Sequence, residues 1–265
     1  MTVRSTVLIC TIGSAGLSEV ISRYLSSSSD FELMVIVDNP SIDRSSFLSD
    51  KRADPRLQLI FNDTNIGLTR SLRDGVKRAT GEFVIRNDDD DLVDPARIER
   101  VEAFFDHNTD CDIMFTYAIG VDPNTGNRWS IGGPTTHEGI SENLLRRNFI
   151  MHSALAFRKS PIERIGSYSE AFRYAQDYEL YLRALRRGLK FGALPEPLIE
   201  KIYTKASITV SKRTRQLLCS FAARLLNEAE SPRSPKVWGT ILAYVRLLAI
   251  PGWARALRRR ILRNV

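Results

Sequence analysis

Four short apolar runs constrain this chain more than any other feature. Val7-Leu8-Ile9-Cys10, Phe31 to Val37, Leu57 to Phe61 and Glu82 to Ile85 are too short to be helices and are rich in β-branched and aromatic residues. Leu17 to Leu25 supplies a helical pattern after the first run, and Leu68, Leu72, Val76 and Ala79 recur at helical spacing between the third and fourth. Strand-length runs alternating with helical patterns predict βαβ units and a mostly parallel central sheet flanked by helices, an α/β fold. In open sheets of this class ligands gather beyond the carboxyl ends of the strands. Those ends are Thr11, Asp38, Asn62 and the run that starts at Asp88. Further along, Asp94-Pro95 predicts a helix start and a helix to about Phe105. Cys111 to Phe115 reads as another strand, the Gly- and Pro-rich residues 120–135 as a hairpin or loop, and Asp177 to Arg187 as a helix.

The charge is unevenly placed. The 265 residues carry 38 Lys+Arg against 31 Asp+Glu, a net of +7. Residues 201–265 hold 14 basic and 2 acidic residues, while the first 200 hold 24 and 29. That excludes a uniformly basic coat for nucleic acid. Three cysteines, Cys10, Cys111 and Cys219, lie far apart, which excludes a disulfide framework or a cysteine-built zinc site and suits a reducing compartment. The apolar stretch before Thr11 is too short for a signal-peptide core. Gly239, Arg246 and Pro251 interrupt Val237 to Ala254, so no spanning helix is expected there. The expectation is a soluble or membrane-associated chain.

Asp88-Asp89-Asp90-Asp91 follows the fourth run directly. Four adjacent carboxylates repel one another, and solvent, Arg86 or a divalent cation must offset that repulsion. In extended backbone Asp88 and Asp90 point to the same side, a spacing able to ligate Mg²⁺ or Mn²⁺. Around this run, Asn65-Ile66-Gly67-Leu68, Arg70, Gly75, Ala79, Gly81-Glu82-Phe83, Arg86, the four aspartates and Pro95 resemble the central signature of family 2 glycosyltransferases. That signature is N-x-G-L, a helix, A-x-G-E-[YF], a strand, then R-x-D-x-D-D. Downstream, His152 to Lys159, Ile165-Gly166-Ser167-Tyr168 and Gln176-Asp177-Tyr178-Glu179-Leu180-Tyr181-Leu182-Arg183 are similar to the family's acceptor-side segment.

The resemblance implies a GT-A fold over residues 1–205, with a nucleotide-sugar-binding half over about 1–95 and an acceptor half over about 96–205, followed by a basic extension over 206–265. It implies a donor site drawing on Thr11, Asp38, Asn65, Gly67, Arg70, Asp88 and Asp89, and a Mg²⁺ or Mn²⁺ ion held by Asp88 and Asp90. Where the family's common D-D-G-S-T-D stands, this chain has Asp38-Asn39-Pro40-Ser41-Ile42-Asp43, leaving base binding to Asp38. Gln176 stands where Glu or Asp is common, so Asp177 is the candidate general base alone. A carboxylate is a weak base in water but serves when held within hydrogen-bond reach of the hydroxyl. Single displacement then inverts the anomeric centre. His152 is open between a contact to donor or acceptor and a structural role. Trp129 and Tyr168 are open between sugar stacking and packing.

The expected partners are a UDP-, dTDP- or GDP-linked sugar donor and a glycan or lipid-linked acceptor. The basic tail interleaves Trp238, Tyr244, Leu247, Leu248, Ile250 and Trp253 with Arg246, Arg255, Arg258, Arg259, Arg260 and Arg263. That composition suits an anionic membrane surface, with packing on the domain or a partner, or a nucleic-acid patch, as the competing readings. The expected place is the cytoplasmic face of the cell membrane, with no nucleic-acid partner. Two other functions remain at this level. A nucleotidyltransferase would share the sheet and the aspartates but carry a Gly-rich phosphate loop, of which Gly13-Ser14-Ala15-Gly16 is a faint echo. An inert sugar-binding protein would bind donor without turnover.

Overall fold

The computed structural model describes residues 3–203, 213–228, 239, 241–242 and 244. Strand β1 (Ser5–Thr11) is buried along its whole length and pairs in parallel with β2 (Glu32–Val37) and with β4 (Phe83–Asn87). β2 pairs in parallel with β3 (Leu57–Phe61). These are the four apolar runs, and they form the parallel half of the sheet. The second half is mixed. β6 (Ile113–Val121) forms a hairpin with β7 (Arg128–Ile131), runs antiparallel to β8 (Leu155–Arg158) and parallel to β9 (Phe191–Ile202). Short β5 (Asp91–Val93) pairs antiparallel with β9. The resulting sheet has nine strands, in the order β3-β2-β1-β4-β8-β6-β9-β5 with β7 on β6.

Buried strands alternate their side chains between two apolar layers, as expected for a sheet covered on both faces. Leu8, Met34 and Ile36 face a layer with Leu72 and Val76 of α2 (Leu68–Arg78) and with Tyr178, Tyr181 and Leu182 of α6 (Gln176–Arg186). Val7, Ile9, Leu33 and Val35 face the other layer, with Val20 and Ile21 of α1 (Leu17–Leu25) and Ile98, Val101 and Phe105 of α3 (Arg97–His107). α3 starts two residues after the predicted Asp94-Pro95 start, because Asp94 Oδ1 first accepts from Ala96 N in a turn. α4 (His137–Arg146) begins at Thr136, whose hydroxyl accepts from Gly139 N at 3.3 Å, and α5 (Lys159–Arg164) follows β8.

The longest described part of the basic segment is α7 (Arg213–Glu228), which packs on α6. Ala223 is buried, Arg186 donates to Leu226 O at 3.0 Å, and Phe221 meets the ring of Tyr244 at 5.1 Å. Among the described residues no helix is long and apolar enough to cross a membrane. Trp238, Trp253 and the arginines from Arg246 onward lie outside the described residues.

Candidate active site

The carboxyl ends of β1, β2 and β4 lie side by side, as the parallel register requires. At the end of β2, buried Asp38 fixes the turn that opens α2. Its Oδ1 accepts from Asn62 Nδ2 and Ile66 N at 2.8 Å each, and its Oδ2 accepts from Gly67 N at 2.7 Å. Asn65 Nδ2 donates to Asp38 O at 2.8 Å. Gly67 holds φ +87°, a conformation in which a side chain is strained. Asn65-Ile66-Gly67-Leu68 is thus a loop wrapped on one carboxylate, and it brings Asp38, Asn65 and Gly67 together. Arg70 lies on the exposed face of α2, where its Nε donates to Glu170 at 2.9 Å, and Arg73 joins the same carboxylate at 3.1 Å.

Thr11, at the end of β1, ties its own turn to the aspartates. Its hydroxyl donates to Asp89 Oδ2 at 2.5 Å and accepts from Gly13 N at 2.8 Å and Ser14 N at 3.3 Å. Gly16 eases the approach, since a Cβ there would stand a tight 3.3 Å from both Asp89 O and Asp90 Cα. The aspartate loop is held from below by Asn87. Its side-chain amide donates to Asp88 O at 2.7 Å and Asp91 O at 2.9 Å, while its Oδ1 accepts from Arg97 at 2.8 Å and Tyr24 at 3.0 Å. The side chains of Asn87, Arg97 and Tyr24 are all buried.

The four aspartates have different environments. Burial works to raise the Asp88 carboxyl, but the Arg86 and Lys201 cations outweigh it and hold it far below the usual carboxylate range. Arg86 is 1 % exposed and pairs with Asp88, while its Nε and Nη1 meet no acceptor among the described residues. Asp89 is pushed up by burial, against the pull of Thr11. Asp90 is exposed, and Asp91 is completely buried against Ser153 and Lys201. Carboxylate oxygens of Asp88, Asp90 and Asp91 all lie within 4.8 Å of one another. Such a set of hard oxygen donors fits Mg²⁺ or Mn²⁺, so the Asp88 and Asp90 pair expected from the sequence sits in a cluster that a third carboxylate joins.

The acceptor-side segment meets the aspartates through the second half of the chain. Asp177 lies in the first turn of α6, two residues after the N-cap Ala175, a non-glycine residue at φ +54°. Its Oδ2 accepts from Asn148 Nδ2 at 2.8 Å. Burial raises the Asp177 carboxyl, Asn148 and backbone donors pull it down, and the negative field of Asp88 raises it. His152 Nε2 meets Tyr168 OH at 2.8 Å, and burial together with the Arg86 charge lowers the imidazole to about 3. His152 is therefore a neutral group in a polar network. Tyr168 is completely buried, so packing accounts for its ring, while half-buried Trp129 lies against Tyr203 at 5.1 Å.

The sequence motifs do not single out Asn87, Asn148 or Lys201, and they take in Ser153 only within the stretch His152 to Lys159. The signal for Lys201 is its β-register, which places it opposite Asp91. Asn148 lies in a loop 29 residues from Asp177, and spacing alone gave no sign of it.

Comparison with known proteins extends this picture. A profile described as "Glycosyl transferase family 2" matches residues 6–166. An uncharacterized glycosyltransferase of Methanocaldococcus jannaschii is 24% identical over 196 residues, 72% of this chain and 67% of that protein. The UDP-Gal:alpha-D-GlcNAc-diphosphoundecaprenol beta-1,3-galactosyltransferase of Escherichia coli is 28% identical over 143 residues, 54% of this chain and 52% of that enzyme. The chain thus spans about half to two thirds of the curated relatives it matches. S. aureus TarS in complex with UDP-GlcNAc shares the fold at TM-score 0.69 and 18% identity, covering 86% of this chain and 66% of that one. So does the mannosyltransferase PcManGT of Pyrobaculum calidifontis, in complex with GDP-Man and Mn²⁺, at TM-score 0.61 and 17% identity, covering 97% and 79%. The GT-A architecture and the match over most of the chain lead to one conclusion: the chain belongs to glycosyl transferase family 2 and is a glycosyltransferase.

Proposed function

We propose that the chain transfers a sugar from a UDP-, dTDP- or GDP-linked donor, with inversion, to a hydroxyl of a lipid-linked or surface-polysaccharide acceptor. The carrying observation is that the clustered carboxylates of Asp88, Asp90 and Asp91, which follow β4, are tied through Asp91 to Ser153 and Lys201 of the second half of the chain. Residues 1–95 form the donor half in this reading and residues 96–205 the acceptor half.

Thr11, Asp38, Asn65, Gly67, Arg70, Asp88 and Asp89 belong to the donor side. Asp38, Asn65 and Gly67 shape the loop there, and Thr11 with Asp89 fixes its floor. Asp88 and Asp90 would hold Mg²⁺ or Mn²⁺, which would neutralise charge building on the leaving diphosphate. Asp177, oriented by Asn148, takes the proton from the acceptor hydroxyl, and its raised proton affinity makes it a stronger base than a solvated carboxylate. Ala175 in the left-handed region supports this reading, because strained backbone persists where the surrounding structure enforces it.

The acceptor class draws on relatives named for a diphosphoundecaprenol substrate and for amylovoran biosynthesis, the latter AmsE of Erwinia amylovora. With +12 net charge over residues 201–265, the C-terminal segment is proposed to rest on the anionic inner face of the cell membrane, near a lipid-linked acceptor. A thermal-shift panel of UDP-, GDP- and dTDP-sugars, each with and without Mn²⁺, tests the donor class. A bound donor raises the melting temperature by mass action, and a panel with no shift contradicts the reading.

A further inference from the structure

Lys201 stands opposite Asp91 in the antiparallel β5–β9 pairing, so the register itself brings the two side chains together. The ammonium donates to both Asp91 oxygens, at 3.0 and 2.9 Å, and lies 3.6 Å from Asp88 Oδ2. Asp91 is completely buried, and its Oδ2 also accepts from Ser153. Asp88 carries a second cation, the buried guanidinium of Arg86. Asp90 is exposed and makes no ion pair among the described residues. Two of the three clustered carboxylates therefore already have cationic partners supplied by the chain.

An ammonium and a divalent ion at the same carboxylates repel each other strongly at this range and burial. Each Asp91 oxygen also already accepts a hydrogen bond from the chain. We propose that Lys201 is the built-in counter-ion of the Asp88–Asp91 pair and sets how tightly this chain holds a divalent ion. The inference rests on the metal site of the proposed function and adds a residue to it. While Lys201 stays in place, Asp91 is withdrawn from the ligand set and only Asp88 and Asp90 remain. Two carboxylates leave an octahedral ion mostly ligated by water, so its tight binding depends on diphosphate oxygens of the donor. Mn²⁺ then binds the free protein weakly and binds much more tightly with a nucleoside diphosphate. Removing the ammonium frees Asp91 and weakens that dependence.

The test is a Mn²⁺ titration followed by the electron paramagnetic resonance signal of the free ion, alone and with UDP or GDP. Lys201→Met should bind Mn²⁺ at least about tenfold more tightly than the unaltered protein in the absence of nucleotide, and gain less on adding it. Lys201→Met strands a buried carboxylate, so Asp91→Asn and the double variant Asp91→Asn/Lys201→Met repeat the comparison without that charge. The double variant should bind more tightly than Asp91→Asn, because Lys201 also neighbours Asp88. Equal or weaker binding on loss of the ammonium in both comparisons overturns the role of Lys201 and leaves the metal site standing. No Mn²⁺ binding by any of the proteins, with or without nucleotide, overturns both.

Discussion

Asn148 donates its side-chain amide to Asp177 Oδ2 at 2.8 Å, joining the loop after α4 to the first turn of α6. The bond matters because two opposing influences meet at that carboxylate. Burial and the field of Asp88 favour its protonated form, while Asn148 and the backbone donors favour the ionised form that can act as a base. In the proposed reaction the position of that balance sets the activity and its pH dependence.

Asp177→Asn should lower kcat by about 10²- to 10⁴-fold, the usual range for a lost general base, with donor affinity retained. It should also stabilise the fold at neutral pH. A folded-state pKa raised above the unfolded one means that ionised Asp177 costs stability, and the cost fades as pH falls through the raised value. Thermal melts of both proteins at pH 5 to 8 check this. A variant that is less stable across that range contradicts it.

Removing the amide shifts the balance without removing the base. In Asn148→Ala the carboxylate loses its side-chain donor, so its pKa rises further. The acid limb of the kcat profile should move to higher pH, while kcat on the alkaline plateau falls by less than in Asp177→Asn. A proportional loss at every pH would mean that Asn148 acts only by holding the loop.

His152 carries a different pH signature. Its imidazole is lowered to about 3 in the fold, whereas an unfolded histidine titrates near 6.5, at about its model-peptide value. As pH falls below that value the unfolded chain gains a proton that the fold refuses. Stability from this group is therefore lost between about pH 6.5 and 3, by up to about 1.4 kcal/mol per pH unit. His152→Gln should flatten that part of a urea-unfolding profile, and an unchanged slope would contradict it.

Gly81, in the turn before β4, is set by contact with β1. A Cβ there would fall 2.6 Å from Thr6 N and 2.7 Å from Ser5 C, both backbone atoms. Gly81→Ala should destabilise by about 2–3 kcal/mol, since the strands must part to accept it. Chemical denaturation measures this directly, and a cost near zero would mean that the two strands can separate there.

The parallel half of the sheet was legible because its strands are buried on both faces and read as uninterrupted apolar runs ending in polar residues. The mixed half was legible only in part: Cys111 to Phe115 read as a strand and residues 120–135 as a hairpin or loop, where β6 and its hairpin with β7 lie, but β5, β8 and β9 did not stand out. β9 contains Pro195 and Pro197, which argue against a strand, and the sheet accommodates them with register shifts around Thr116, Tyr117 and Ala118. β5 is three residues long and begins on a carboxylate. At the site, residues inside a contiguous motif stood out by spacing. The partners that orient them come from distant loops and from cross-strand register, as Asn148 and Lys201 show. Lys201 is also the first residue of the basic count from 201 to 265, yet its charge belongs to the aspartates.

The most direct measurement of the central claim is the product formed from a nucleotide-sugar in the presence of membrane-derived lipid-linked acceptors. The account predicts release of the nucleoside diphosphate, with the sugar carried to the acceptor in inverted configuration, and loss of both in Asp177→Asn while donor binding persists. Release of pyrophosphate, binding of donor without turnover in the unaltered protein, or undiminished transfer by Asp177→Asn would contradict it.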